Sequence, residues 1–270
     1  MLVVSWIAAV VACLGYGIGS VLQSVGARRA AHVTGVTGVA LIMVQAPYLL
    51  GLSADGLAFV ANVVALQQLP LFLVQAILTA SVGVTAVIAA VRGTHLARRD
   101  WLSLGALGLG LVALSLSADS DNAVRISTDW QYVILATSAL PVLLGLVGAR
   151  MRGRRSALVL AFAAGSAYTG VAVASRAISG TELGWFLLVD PMVWTILIGG
   201  VFGTIFFALA LQRGSVTSVT AITFMVEMVV PSIVGLLLFG DSVIRGTEFL
   251  AGAGFLFAIA GTVSLMRFAT

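Results

Sequence analysis

Two acidic side chains lie inside apolar segments of this chain, where charged groups are rare. Asp55 and Glu227 each fall within a predicted membrane span, and no basic residue lies within one helical turn of Glu227. An ionised acid at the centre of a bilayer costs at least about 2.5–3.5 kcal/mol, so such residues usually face a cavity or a partner. The functional interpretation is coupling to protons or cations. The structural alternative is a protonated acid that hydrogen-bonds across a helix interface.

Other polar groups inside the spans are candidates for lining a substrate path. In the first span, Gly15, Gly17 and Gly19 predict close helix packing and no nucleotide site, because no strand precedes them. Tyr16 and Gln23 are equally compatible with a functional and a structural role, since polar groups within a span need partners or water. The remaining candidates, each of which taken alone fits a structural hydrogen bond better, are Asn62, Gln75, Thr79, Tyr168 and Thr223.

Familiar metal and catalytic patterns are missing from the sequence. His32 and His95 are predicted in loops, and Cys13 is the single cysteine. A magnesium site would need oxygen ligands and retained water, which Asp55 and Glu227 could supply if the fold brought them together. No Ser/His/Asp or Cys/His arrangement is visible, so the sequence predicts neither an enzyme nor a bound cofactor.

The composition indicates a membrane protein. The 270 residues are 60% hydrophobic and 9% charged, whereas soluble domains carry roughly 25% charged residues. Apolar runs long enough to cross a hydrocarbon core of roughly 30 Å recur along the whole chain. All 14 basic residues are arginines, and they fall between these runs, which argues against nucleic-acid binding. We predict a single all-α membrane domain, multi-pass in a bacterial inner membrane.

The apolar runs predict nine membrane spans, with Pro47 inside the second as a kink in one long helix. Their approximate bounds are 3–25, 38–66, 69–91, 101–118, 130–148, 156–176, 190–212, 216–239 and 248–266. With the N-terminus outside and the C-terminus inside, the arginines split eleven to three, a strong positive-inside bias. The external ones are Arg125, Arg176 and Arg245, and most acids, Asp241 among them, are predicted outside.

The chain also repeats itself at a nearly constant offset. Ala65-Leu66-Gln67 matches Ala210-Leu211-Gln212, Gly93 matches Gly240, and Trp101-Leu102 matches Phe249-Leu250, with offsets from 145 to 148. Residues 1–118 and 156–270 are therefore predicted to be two four-helix repeats joined by a linking helix at 130–148. The odd linking helix inverts the second copy, an architecture common among secondary transporters, with a substrate site near mid-membrane.

The segment from Glu227 to Asp241 resembles the EamA-type permeases of the drug/metabolite transporter superfamily. Glu227, Gly235 and the Gly240–Asp241 pair match the pattern of a Glu, a Gly eight residues later and a closing Gly-acid pair. The Pro that normally follows the Glu is displaced to Pro231. This resemblance implies transport of a small metabolite, a drug or a lipid-linked precursor by alternating access, with proton coupling.

The nine-span layout is similar to that of the NIPA-type magnesium transporters. Asp55, four residues before Phe59, falls where that family has a Glu in its second helix. This likeness implies the alternative of a divalent cation transporter. The NIPA-type eighth helix has no acid that matches Glu227, so Asp55 and Glu227 would be metal ligands only if the fold brought them together.

A third alternative is a non-transporting membrane subunit of a larger envelope-assembly complex, and the sequence leaves open a homodimer or a larger assembly. The partners predicted for all three functions are membrane lipids. Anionic lipid headgroups are expected near Arg150, Arg152, Arg154 and Arg155. Each arginine close to an anionic membrane surface contributes about 1 kcal/mol of attraction.

Overall fold

The computed structural model describes residues 2–29, 41, 43–91, 97–119, 126–178, 189–214 and 216–265. Within these residues the fold is all-helical, with no strand, as the sequence predicts. In chain order the helices are α1 (Leu2–Arg29), α2 (Ala46–Ala65), α3 (Leu71–Thr79), α4 (Ser81–Val91), α5 (Arg98–Ser117), α6 (Thr128–Thr137), α7 (Ala139–Arg150), α8 (Gly153–Ile178), α9 (Pro191–Arg213), α10 (Val216–Leu238) and α11 (Glu248–Leu265).

Seven helical segments among the described residues are long and apolar enough to cross a membrane. Two of them are interrupted helices. One runs through α3 and α4, and the other through α6 and α7, where Pro141 offers no N–H to the Thr137 carbonyl. Two shorter apolar stretches lie in α10 and α11, at Ile222–Leu238 and Glu248–Ser264. These helices fit a multi-pass membrane protein, whereas the count of nine spans and the orientation remain predictions.

The prediction that Pro47 kinks one long helix is wrong. Helix α2 begins at Ala46, and Gln45 before it is not helical, so Pro47 lies in the first turn. A proline is tolerated there because the first N–H groups of a helix have no partner within the helix. Most of the segment before Gln45 lies outside the described residues.

The structure divides into two compact units. Unit 1 contains α1, α2, the end of α3 from Ala76, α4, α5 and α11. Unit 2 contains Leu66–Gln75, α6 to α10 and the segment that follows α10 as far as Ser242. Helix α11 thus belongs to the same unit as α5, although the predicted repeat assigns it to the second copy. The repeat relationship itself remains a prediction.

Small residues set the packing of unit 1. Helices α1 and α2 run antiparallel, because Ser5 Oγ donates to the Val64 carbonyl near one end while Gly26 meets Tyr48 near the other. A β-carbon at Gly15 would lie 2.8 Å from Ala58 Cβ. A β-carbon at Gly17 would lie 2.7 Å from Val84, on α4. The prediction of close helix packing at these glycines is therefore confirmed.

A second close helix pair in unit 1 joins α5 and α11. A β-carbon at Gly110 would lie 2.5 Å from the backbone nitrogen of Ala258, and one at Gly261 would lie 2.7 Å from that of Leu107. The backbones approach this closely because neither glycine carries a side chain. Just beyond α5, the Ile244 N–H donates to the Ser117 carbonyl at 2.9 Å and ties the segment before α11 to the end of α5.

Helix α8 is the central helix of unit 2, where it packs against α7, α9 and α10. Seven of its fourteen buried residues are alanines, and these small side chains let the neighbouring helices come close. The core of unit 2 combines residues of three helices. Helix α9 contributes Phe206 and Ala210, α10 contributes Val219, and α8 contributes Ala157, Leu160, Ala161, Ala163 and Ala164.

Candidate functional site

Asp55 of α2 and Gln23 of α1 form a side-chain pair inside unit 1. Gln23 Nε2 donates a hydrogen bond to Asp55 Oδ2. The other carboxyl oxygen, Oδ1, is shielded from solvent and accepts no hydrogen bond from any described residue. The sequence analysis selected both residues, but not as partners. The pair leaves one oxygen of an intramembrane acid without a donor, and such buried unsatisfied atoms are uncommon in native structures.

Two glycines make room for this pair. Gly19 precedes Gln23 by one helical turn and lies against Asp55 Oδ1, while Gly51 precedes Asp55 by one turn and lies against Gln23. A β-carbon at Gly51 would stand 2.7 Å from both Gln23 Cγ and the Gly19 carbonyl oxygen. Each polar side chain thus fits over a glycine of the facing helix, and this arrangement positions the carboxyl group.

Asn62 extends the polar face of α2 toward its C-terminus. It follows Asp55 by seven residues, two turns of helix, so the two side chains lie on the same face. Asn62 is buried, and its Oδ1 has no hydrogen-bond partner in the described part of the chain. Tyr48 lies on the same face of α2 and is buried. Tyr16, a candidate on α1, is partly buried.

Glu227, the other intramembrane acid, lies on α10 in unit 2. Its side chain is partly buried, and it has no hydrogen bond or ion pair with a described residue. Pro231 lies inside the same helix four residues later, so it has no N–H to donate to the Glu227 carbonyl. Among the described residues, Glu227 therefore has no partner for its carboxyl group, and its backbone carbonyl lacks the usual hydrogen bond from the residue four positions later.

The other predicted lining residues make structural contacts or are buried. Thr223 donates to the Ala161 carbonyl at 3.1 Å, which joins α10 to α8. Tyr168 donates to Thr204 Oγ1 at 3.3 Å, which joins α8 to α9. Gln75 and Thr79 are buried on α3, in unit 2 and unit 1 respectively. The described contacts do not bring Tyr168 and Thr223 together.

The structure reveals a buried ion pair that the sequence analysis missed. Arg176 lies in the last turn of α8 and is 1% exposed, whereas the sequence analysis counted it only among the external arginines and predicted no partner for it. Its Nη2 donates to Asp241 Oδ1 at 2.7 Å, and its Nη1 donates to the carbonyls of Leu66 and Leu69, the latter at 2.8 Å. The prediction that both residues lie on the external side of the membrane stays a prediction. The structure adds that the two side chains are buried as an ion pair, in which each charge compensates the other.

Asp241 is aimed at this pair by the end of α10. Gly240 adopts a left-handed conformation with φ of 66°, and the Asp241 N–H returns to the Gly235 carbonyl at 3.1 Å. This is the geometry of a glycine C-cap, which ends a helix and turns the next residue back. The second carboxyl oxygen of Asp241 accepts from the Leu71 N–H at 2.5 Å, at the start of α3. The Gly-acid pair noted in the sequence thus has a structural explanation.

The metal-binding prediction finds no support in geometry. No group of three or more His, Cys, Asp or Glu side chains in the described ranges could hold a metal ion. Both histidines, His32 and His95, lie outside those ranges.

No protein-family model matches this chain, and neither does any curated protein or any solved structure. The likeness of Glu227, Gly235, Gly240 and Asp241 to the EamA-type pattern therefore remains a resemblance of those residues alone.

Proposed function

We propose that this protein is a proton-coupled secondary transporter that moves a small solute across a membrane by alternating access. The observation that carries the proposal is the buried Oδ1 of Asp55, which has no hydrogen-bond partner among the described residues and lies between two apolar helices. A carboxyl with one oxygen bound by Gln23 and the other free has one defined position for a proton. Intramembrane carboxyls in such positions mark proton relays in pumps and transporters.

The size of the space around Oδ1 favours a proton over a metal ion. Gly19 lies against this oxygen so closely that a β-carbon there would overlap it. Ca²⁺ and Mg²⁺ need six or more oxygen ligands, whereas a proton needs one. Proton uptake would remove the charge of Asp55 without moving the neighbouring helix. This contrast supports proton coupling over the divalent cation alternative.

Each unit carries one candidate for the coupling role, Asp55 in unit 1 and Glu227 in unit 2. The two differ in their surroundings, because Asp55 is hydrogen-bonded to Gln23 while Glu227 has no partner among the residues described. We assign proton binding first to Asp55 on this ground, and we propose that Glu227 contributes to solute or proton binding. The resemblance to EamA-type permeases, a nine-span inverted-repeat architecture and a bacterial inner-membrane location are consistent parts of the same proposal.

The test uses the full-length protein in liposomes that contain a pH-sensitive dye. A panel of amino acids, amines and lipophilic drugs is added outside one compound at a time, and the internal pH is followed. We expect at least one solute to change the internal pH, and we expect Asp55→Asn to abolish that change because it keeps the shape but cannot take up the proton.

Equal amounts of protein in the two liposome preparations and matching thermal melts provide the control. Full solute-driven proton movement by the Asp55→Asn protein would refute proton binding at this residue. If no solute in the panel moves protons through the unmodified protein, proton-coupled transport of these solute classes is refuted.

A further inference from the structure

The ends of α8, α9 and α10 line a cavity of about 520 Å³ in unit 2. Its walls combine cationic and apolar side chains. Arg154, Gln212 and Arg213 supply the polar side, and Ala157, Leu158 and Val219 supply the apolar side. Leu158 is 36% exposed, so this apolar wall is accessible to a ligand. This combination suits an amphipathic ligand with a negatively charged head.

Arg213 is fixed in place before any ligand arrives. Its Nη1 donates to Ser156 Oγ at 2.7 Å and to the carbonyls at the end of α7, of which Ala149 is the nearest at 2.9 Å. Ser156 is fully buried and itself donates to the Gly148 carbonyl at 2.7 Å. These contacts all fall on Nη1, so Nε and Nη2 make no hydrogen bond to any described residue. Two parallel donors on one guanidinium match the oxygens of a phosphate.

Among the described residues, no acidic side chain forms an ion pair with this cation cluster. Arg154 makes no ion pair or hydrogen bond with a described residue, and Arg150, Arg152 and Arg155 are exposed beside it. The sequence contains no Asp or Glu between Asp129 and Glu182. Arg154 also lies in the first turn of α8, where the helix dipole favours an anion over a cation. Arg154 and Arg213 therefore present positive charge to a ligand that enters the cavity.

We propose that this cavity binds the phosphate group of an anionic phospholipid. Arg213 and Arg154 bind the phosphate. Leu158 and Val219 contact the apolar part of the lipid nearest to the phosphate. The site is independent of the transport proposal. The proposal also narrows the lipid site expected at the arginine cluster. Arg150 and Arg152 do not line the cavity, whereas Arg213, at the end of α9, does.

The experiment measures lipid binding to the full-length protein in detergent by native mass spectrometry. The protein is titrated with dioleoyl phosphatidylglycerol, and dioleoyl phosphatidylcholine is the neutral comparison. We expect preferential binding of the phosphatidylglycerol, and we expect Arg154→Gln and Arg213→Gln each to weaken it about fivefold, as for the loss of one charge near a lipid surface. Arg152→Gln removes the same charge outside the cavity and should leave the affinity within about twofold.

Two results would overturn the proposal. Equal weakening by Arg152→Gln and Arg154→Gln would mean diffuse attraction to the cluster and no defined site. The second result comes from a thermal melt. If inorganic phosphate raises the melting temperature as much as phosphatidylglycerol does, the cavity is a site for soluble phosphate. Because Arg213 also satisfies backbone carbonyls, Arg154→Gln is the decisive variant if Arg213→Gln does not fold.

Discussion

Gly51 of α2 lies so close to Gln23 of α1 that an added methyl group would stand 2.7 Å from Gln23 Cγ. The hydrogen bond from Gln23 to Asp55 depends on this approach, because the two helices can come together only where glycine removes the side chain between them. The carboxyl proposed to bind the proton is thus positioned by the packing of α1 against α2.

The first prediction tests this packing. Gly51→Ala should separate α1 from α2 and destabilise the protein by about 1–3 kcal/mol, the usual cost of overpacking, and should lower transport with it. Gly56→Ala on the same helix is the matched control, since no atom lies within 4 Å of its added methyl group. It should be neutral or slightly stabilising, because alanine favours a helix over glycine. The measurement is the melting temperature of each variant. Equal melting temperatures for Gly51→Ala and Gly56→Ala would contradict the packing argument.

The second prediction concerns Glu227. If this residue couples protons to transport, Glu227→Gln should abolish solute-driven proton movement while expression and melting stay near normal, because Gln keeps the shape but cannot titrate. Glu227→Ala should behave like Gln in stability, since no described residue depends on this carboxyl. A large loss of stability in the Ala variant alone would show a structural hydrogen bond. Full transport by the Gln variant would leave Asp55 as the coupling residue.

The third prediction concerns the ion pair of Arg176 and Asp241. Arg176→Met should destabilise the protein by about 3–5 kcal/mol, because it leaves the buried carboxylate without its cation. The double variant Arg176→Met/Asp241→Asn should recover part of that loss, since no buried charge remains. Arg245→Gln is the control, because Arg245 is exposed and its removal should change stability by less than about 0.5 kcal/mol. Additive losses in the double variant would mean that the pair is not coupled.

The fourth prediction tests the orientation in the membrane. Reporter proteins fused after Arg99 and after Arg155 should be cytoplasmic, and one fused near Asp121 should be external. The expectation follows from the eleven-to-three distribution of arginines between the two sides. An external reporter at Arg155 would overturn both the count of nine spans and the inverted repeat.

The helical part of the fold was predictable because apolar runs of membrane length have one stable outcome in a bilayer. Helix ends were less predictable. Pro47 was placed inside a long helix, yet it starts one, since a proline in an apolar run is compatible with both positions. Local sequence does not say which of these the neighbouring helices will favour.

The candidate site was predictable residue by residue but not as pairs. Asp55 and Gln23 stood out as polar groups in apolar spans. Their contact, however, depends on how α1 and α2 align. The glycines allow this close approach, but the sequence does not say which helix each glycine faces. Arg176 and Asp241 were overlooked because a charge near the end of a span usually meets water or headgroups. The Gly240–Asp241 pair was the signal available in the sequence, since a glycine that caps a helix sets the direction of the residue after it.

Arg176 is synthesised before its counter-charge Asp241 but after its carbonyl partners Leu66 and Leu69. Asp241 follows it by 65 residues, so α8 is made before α9 and α10 can deliver the counter-charge. The carbonyls of Leu66 and Leu69 precede Arg176 by 110 and 107 residues, and they are already present when α8 emerges. An arginine is costly in hydrocarbon without partners, so these two acceptors can hold the guanidinium during insertion until the carboxylate arrives. The ion pair can form only after Asp241, at the end of α10, has been made.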